Sequence, residues 1–397
     1  MTTRTQSHLA ARRSVLLFLM LALLLTALPS ASAAPGAASF AAEQDSLNLN
    51  CKSAILMDAA TGTVLYEQNA DQALPPASVT KIMTLLLVME AIDGGTLQLS
   101  DPISVSETAA GMGGSQIYLE PGEIMSCEDM LKSVVISSAN DAAVALAEHI
   151  AGDIDTFVRR MNEKATSLGM TGTQFENATG LDDTAEHHLT TARDIAIMSR
   201  ALIEHKTILQ YSSVWMDTIR NGTFGLTNTN RLIRFYRGAT GLKTGSTEKA
   251  GFCVSVTAAR DGLSLICVIM GAENRDIRNA QATKLLDWGF ANYANYQSNT
   301  PAPEPVRITG GINSSVKAEI VPFCCTLPKA QLDKVEYTVE LPECIAAPLS
   351  KGAPLGSVTY RLNGEIIGST PIVAAEDIPR ITYRQLLKRL LCACLFH

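Results

Sequence analysis

Between residues 78 and 92 the chain has almost no polar stripe, because Ile82, Met83, Leu85, Leu86, Leu87, Val88 and Met89 would occupy every side of a helix. A helix without a polar face is buried at the centre of a domain, and Asp93-Gly94-Gly95 supplies its stop. Ahead of it two short apolar runs, at 54–57 and 63–66, flank the turn Asp58-Ala59-Ala60-Thr61-Gly62 and predict a hairpin. Helical patterns follow at about 127–137, 141–151, 153–168 and 191–204. From Ala250 the pattern becomes strand-like. Two β-rich runs, 251–258 and 263–270, are joined by Arg260-Asp261-Gly262, and a helix over about 277–293 closes the region. A hairpin early, helices in the middle and strands late predict an α+β domain whose sheet unites distant segments.

Around Ser298-Asn299-Thr300-Pro301-Ala302-Pro303-Glu304-Pro305 the composition turns Pro-rich, as at a domain boundary. Beyond it short strand-like stretches at 316–321, 334–341, 357–362 and 365–367 predict a smaller all-β module. The expected organisation is therefore an α+β domain over 40–296, a β domain over 297–380, and a terminal segment over 381–397. In that last segment Tyr383, Leu386, Leu387, Leu390, Leu391 and Cys394 share one helical side, with Arg384, Lys388 and Arg389 largely off it. A basic amphipathic helix of this kind suits a membrane surface, and it equally suits docking on its own domain.

At the other end, Arg4, Arg12 and Arg13 precede an apolar run from Val15 to Leu28, then Pro29 and Ala31-Ser32-Ala33. The run is shorter than the ~20 residues of a spanning helix, so 1–33 reads as an export signal and the expected location is extracytoplasmic. An uncleaved anchor is the alternative. Among 397 residues, 32 Lys and Arg stand against 39 Asp and Glu, a net charge of -7, which provides no basic field for nucleic acid. Nine cysteines are too sparse for a disulfide scaffold. Cys253 and Cys267 flank the hairpin turn and could approach across it, although buried unpaired thiols are the commoner outcome.

The buried helix opens Pro75-Pro76-Ala77-Ser78-Val79-Thr80-Lys81. Residues three apart share a helical face, so Lys81 can reach the Ser78 hydroxyl. An alcohol is a weak nucleophile until a base takes its proton, and a lysine becomes that base when burial or other cations favour its neutral form. The spacing alone equally fits a capping serine and a solvated lysine, and Ser246 to Lys249 and Ser314 to Lys317 repeat it. Ser138-Ala139-Asn140 lies at a break between two helical patterns, where a hydroxyl and an amide can face a cleft or simply cap the next helix. Lys243-Thr244-Gly245 precedes a β-rich run, with Ser246 placed in a turn before that strand. A strand-borne Lys and Thr can hold a carboxylate, while Gly lets substrate approach the backbone.

The three elements, in this order and context, match the S-x-x-K, S-x-N and K-T-G set of penicillin-recognising serine enzymes. The chain resembles serine-type D-alanyl-D-alanine carboxypeptidases (peptidase family S11), the low-molecular-mass penicillin-binding proteins that trim bacterial peptidoglycan. The resemblance runs over roughly residues 50–380. It includes Leu56-Met57-Asp58-Ala59-Ala60-Thr61-Gly62, Thr190-Thr191-Ala192-Arg193-Asp194 and Gly241-Leu242-Lys243-Thr244-Gly245-Ser246-Thr247. It implies a β-lactamase/transpeptidase-like fold. Ser78 would then be the acylated nucleophile, Lys81 its proton acceptor and Ser138 a relay to the leaving amine. Asn140 would position the substrate amide, and Lys243 and Thr244 the terminal carboxylate. Backbone N–H groups of Ser78 and Ser246 would form the oxyanion hole, with Gly245 between. The implied partners are peptidoglycan stem peptides and, as covalent inhibitors, β-lactams; no metal or organic cofactor is implied. Two positions vary from many relatives, Ala139 for Gly and Ser246 where some carry His.

Competing readings remain at this level. A class A-like β-lactamase needs a Glu to activate the deacylating water, and Glu176 and Glu186 lie between the second and third motifs. A silent wall-binding scaffold would keep the residues without the geometry. His187-His188 with Asp182-Asp183 lacks a metal-site spacing and reads as a solvated polar loop.

Overall fold

The computed structural model describes residues 47–182 and 185–395; the expected export signal lies outside them. Strands β1 (Ser53–Asp58) and β2 (Val64–Gln68) form the early hairpin. They join the late strands β3 (Ala239–Thr247), β4 (Gly251–Arg260) and β5 (Leu263–Ala272) in one antiparallel sheet of order β2-β1-β5-β4-β3. In the register of β1 on β5, Leu56 faces Cys267.

Every strand residue alternates between two apolar layers. Ile55, Met57, Ile266 and Val268 point into a cluster filled by the middle helices, while Ala54, Leu56, Leu265 and Cys267 point to the opposite face. That opposite face is covered by a late helix spanning Arg275–Asn292, through Ala282, Leu285 and Leu286. The middle lobe holds α1 (Lys81–Asp93), α2 (Cys127–Ile136), α3 (Asn140–Ala151), α4 (Ile154–Ser167) and α5 (Ala192–Glu204). In α1, Lys81 to Leu86 together with Val88 and Met89 are buried, as its apolar circumference requires. The late helix Arg275–Asn292 is hereafter α6.

Two small hairpins, Pro102–Ser104 with Ile124–Ser126 and Met216–Ile219 with Phe224–Thr227, escaped the sequence pattern because runs of three or four residues carry too little periodicity. The period-two geometry also settles the hairpin cysteines. Cys253 belongs to the helical-side cluster and Cys267 to the α6 side, so they face opposite ways; Cys267 lies across from Val256, and both are buried free thiols.

After α6 the chain enters Tyr293–Gln297, which pairs with Cys324–Pro328 from the trailing module. That module has its own apolar cluster around Val316, Val358, Tyr360 and Ile372. Its four-stranded sheet includes Glu365–Ala374, longer than the stretch expected, and Val306–Thr309 and Cys344–Ala346 add a parallel pair not foreseen. The final helix α7 (Tyr383–Leu395) turns Tyr383, Leu386, Leu387, Leu390 and Leu391 outward, whereas Arg389 reaches back to the Ile312 carbonyl. Among the described residues no helix is long and apolar enough to cross a membrane.

Candidate active site

Ser78 sits one turn ahead of α1. Residues Ala77–Thr80 form a 3-10 turn and the α-helix proper begins at Lys81, three residues later than the pattern suggested. Ala77 is held at φ +50, in the left-handed region that a Cβ makes unfavourable. The turn projects Ser78, half-buried, into the cleft and leaves Lys81 beneath it. Lys81 Nζ lies 2.9 Å from Ser78 Oγ and donates to the Thr179 carbonyl at 2.9 Å.

Lys81 is wholly buried. Burial, and then the positive Lys243, push its amine well below the ordinary lysine range, against the opposing charge of Asp141. Asp141 is itself buried, and its carboxylate accepts from the backbone N–H groups of Ile117, Leu119 and Ala142. Lys243 is pushed down to about 7 by burial and by the Arg278 guanidinium. Two amines are thus packed together out of water, where repulsion between their charged forms is weakly screened.

The strut under Lys81 was missed in the sequence. Asn177 Oδ1 accepts from the N–H groups of Thr179 and Gly180, closing a tight turn that aims the Thr179 carbonyl at Lys81. Gly180, at φ +83, passes so close to the Ser78 turn that a Cβ would lie 1.8 Å from the Ala77 oxygen. The run Asn177-Ala178-Thr179-Gly180 does carry an Asx-turn signal, but nothing local says what the turn faces.

Nearby, His188 corrects the expectation of a solvated loop. It is buried, its Nδ1 accepts from Glu176 N–H at 3.0 Å, and its Nε2 lies 2.8 Å from Thr80 Oγ1. With Nδ1 accepting, Nε2 carries the proton and donates to Thr80. Burial pushes the imidazole down to about 4, despite Glu176 and Asp182.

Ser138 adopts φ +65 in the break between α2 and α3, which drives it into the cleft beside Ser78. Asn140 opens α3 and is buried. Its Nδ2 donates to the Gly113 carbonyl at 2.7 Å, its Oδ1 has no partner, and it is not among the residues that line the cleft.

Thr244, Gly245 and Ser246 lie on β3 itself, which continues to Thr247; the turn expected at Ser246 falls after it, because pairing with β4 runs on through Ser246 opposite Phe252. Lys243 is buried beneath the floor, and Thr244 Oγ1 donates to Thr229 Oγ1 at 2.8 Å. Gly245 passes the Ser78 turn so tightly that a Cβ would sit 2.7 Å from the Ser78 nitrogen. The cleft, of about 740 Å³, is lined by Ser78, Ser138, Thr244, Gly245 and Ser246, with Trp215 and Phe235 among its walls. Arg278, buried on α6, also lines it and was not identified from sequence. It lies 35 positions beyond Lys243 in an otherwise ordinary helix, so only folding brings it there. Neither Glu176 nor Glu186 lines the cleft.

The D-alanyl-D-alanine carboxypeptidase family profile matches residues 38–274, and that of the penicillin-binding protein 5 C-terminal domain matches residues 297–380. The chain is 41% identical to the D-alanyl-D-alanine carboxypeptidase DacF of Bacillus subtilis over 346 residues, 85% of this chain and 88% of that one. Among solved structures, penicillin-binding protein 5 from Haemophilus influenzae superposes with a TM-score of 0.72 at 31% identity, covering 84% of this chain and 98% of that one. Ampicillin-bound penicillin-binding protein D2 from Listeria monocytogenes matches at 33% identity with a TM-score of 0.57, over 62% of this chain and 99% of that one. Both family profiles and the identity over most of the chain agree, and the chain belongs to the D-alanyl-D-alanine carboxypeptidase family of serine peptidases.

Proposed function

We propose that this D-alanyl-D-alanine carboxypeptidase removes the terminal D-alanine of peptidoglycan stem peptides through an acyl-enzyme on Ser78. The observation that carries the assignment is the 2.9 Å approach of Lys81 Nζ to Ser78 Oγ in a wholly buried setting that favours the neutral amine. Ser78 Oγ attacks the carbonyl of the penultimate D-alanine and gives its proton to Lys81. The Ser78 and Ser246 N–H groups take the developing oxyanion, a role supported by the close passage of Gly245 beside Ser78 N. Breaking the peptide bond then frees the terminal D-alanine, whose nitrogen receives a proton by way of Ser138. Water attacks the ester, returns the serine proton and releases the shortened peptide.

Thr244 and the cations Lys243 and Arg278 hold the terminal carboxylate. Asn140 is assigned to positioning the substrate amide; its Nδ2 is engaged by Gly113, and its buried Oδ1 has no partner in the protein. A β-lactam enters the same acylation step and is hydrolysed slowly. Intact-mass and peptide-mass analysis after benzylpenicillin is expected to show an adduct on Ser78, absent in Ser78→Ala. Rapid drug turnover without accumulation would indicate the class A-like β-lactamase instead, and neither adduct nor turnover the silent scaffold.

In this reading residues 40–296 are the catalytic unit and 297–380 the C-terminal β domain, with 381–397 lying on the outer face of the cytoplasmic membrane after export directed by 1–33. The outward leucines of α7 support the membrane contact. Deleting residues 381–397 is expected to release the protein from membranes; unchanged fractionation would reject the contact.

A further inference from the structure

The cleft carries more positive charge than one carboxylate requires. Arg278 and buried Lys243 already attend the carboxylate position, yet Arg231 and Arg275 line the same cleft, and among the described residues no Asp or Glu lines it. Among the described residues neither Arg231 nor Arg275 has an ion pair or a side-chain hydrogen bond. Both lie close enough to Arg278 to repel its charge. Arg275 is also the first residue of the 18-residue helix α6, where the macrodipole disfavours a cation and favours an anion. Asp276, in the same first turn, offsets part of this charge; three arginines still share the cleft lining, a site poised for a second negative group.

The position of that group follows from the bond being broken. Ser78 marks the scissile carbonyl and Thr244 the terminal carboxylate, so the residue between them is the leaving D-amino acid. We propose that Arg231 and Arg275 form a subsite for an acidic side chain on the leaving residue, so that the enzyme also releases dicarboxylic D-amino acids such as D-glutamate from D-Ala-D-Glu termini. The chemistry is unchanged, with one peptide bond broken by the Ser78 acylation step and one water consumed in deacylation. This inference rests on the Ser78 reading and adds a specificity to it. A planar guanidinium suits a carboxylate better than an ammonium does, and the exposure of both arginines makes the gain modest and salt-dependent.

The test uses the mature full-length chain with diacetyl-L-Lys-D-Ala-D-X, where X is D-Ala, D-Glu or D-Gln, and measures the released amino acid by mass spectrometry. D-Gln matches D-Glu in shape without its charge. Expected is a kcat/KM for D-Glu about tenfold above that for D-Gln at low salt, shrinking as ionic strength rises. In the double variant Arg231→Gln, Arg275→Gln the preference should vanish, with D-Ala-D-Ala turnover and the benzylpenicillin adduct on Ser78 kept as evidence of an intact site. Equal rates for D-Glu and D-Gln in an enzyme that turns over D-Ala-D-Ala would overturn the subsite alone. So would a preference that survives the double variant. Absence of both D-Ala release and the penicillin adduct in the wild type would overturn the Ser78 reading and the subsite with it.

Discussion

Gly245→Ala isolates the contact on which the nucleophile's placement depends. Gly245 is not among the glycines with positive φ, so alanine's backbone preferences are satisfied and only its methyl group matters. That methyl would stand 2.7 Å from Ser78 N and 2.9 Å from both Pro76 O and Val79 N, all backbone atoms that no rotamer change can move. Relief requires strand and turn to separate by about 0.7 Å to reach ordinary contact. Overpacking of this kind costs about 1–3 kcal/mol, which a domain with so large a core survives. Catalysis is less forgiving, because a displacement approaching 1 Å costs up to about 100-fold, and here it parts Ser78 N from Ser246 N, the two donors assigned to the oxyanion. The expected result is a benzylpenicillin acylation rate, followed by intact mass, reduced about 30- to 100-fold, with a cooperative thermal transition only a few degrees lower. Gly225→Ala is the matched control, since nothing lies within 4 Å of its Cβ position. If Gly245→Ala acylates within about threefold of wild type, strand and turn are not held together as the geometry requires.

Lys81→Met is expected to lower acylation by about 100- to 10,000-fold, yet to raise the melting temperature, because a buried amine is replaced by an apolar chain of similar length. His188 predicts a pH dependence. Folded, its imidazole titrates at about 4; unfolded, near 6.5. Between those values the unfolded chain holds the extra proton, so stability is lost as pH falls from about 6.5 towards 4. Urea unfolding of His188→Gln across that range should show a shallower acid limb, and an unchanged slope would mean that His188 is not a buried neutral base. Asn177→Ala removes the acceptor that closes the turn carrying the Thr179 carbonyl. A loss of about 1–3 kcal/mol in unfolding free energy is expected, together with slower acylation.

The apolar circumference of residues 82–89, the hairpin alternation at 251–270 and the motif order Ser78, Ser138, Lys243 are local properties, and they were enough to predict an α+β enzyme of this family. Periodicity reports which face of an element is buried, and a motif reports which chemistry is available; both are written in neighbouring residues. The amphipathic pattern of α7 was legible for the same reason. Chain folding alone decided the rest. Asn177 to Gly180 and His188 support the nucleophile turn from about 100 positions away. Arg278 enters the cleft from a helix whose own pattern is unremarkable. Cys253 and Cys267 turn from each other because strand register, not sequence proximity, assigns each to a face. Gly245 reads in sequence as permission for a substrate to approach, and in three dimensions it also makes room for Ser78 itself. Lys81's weakened hold on its proton is likewise tertiary, since the water it loses and the cations it meets are supplied by segments far along the chain.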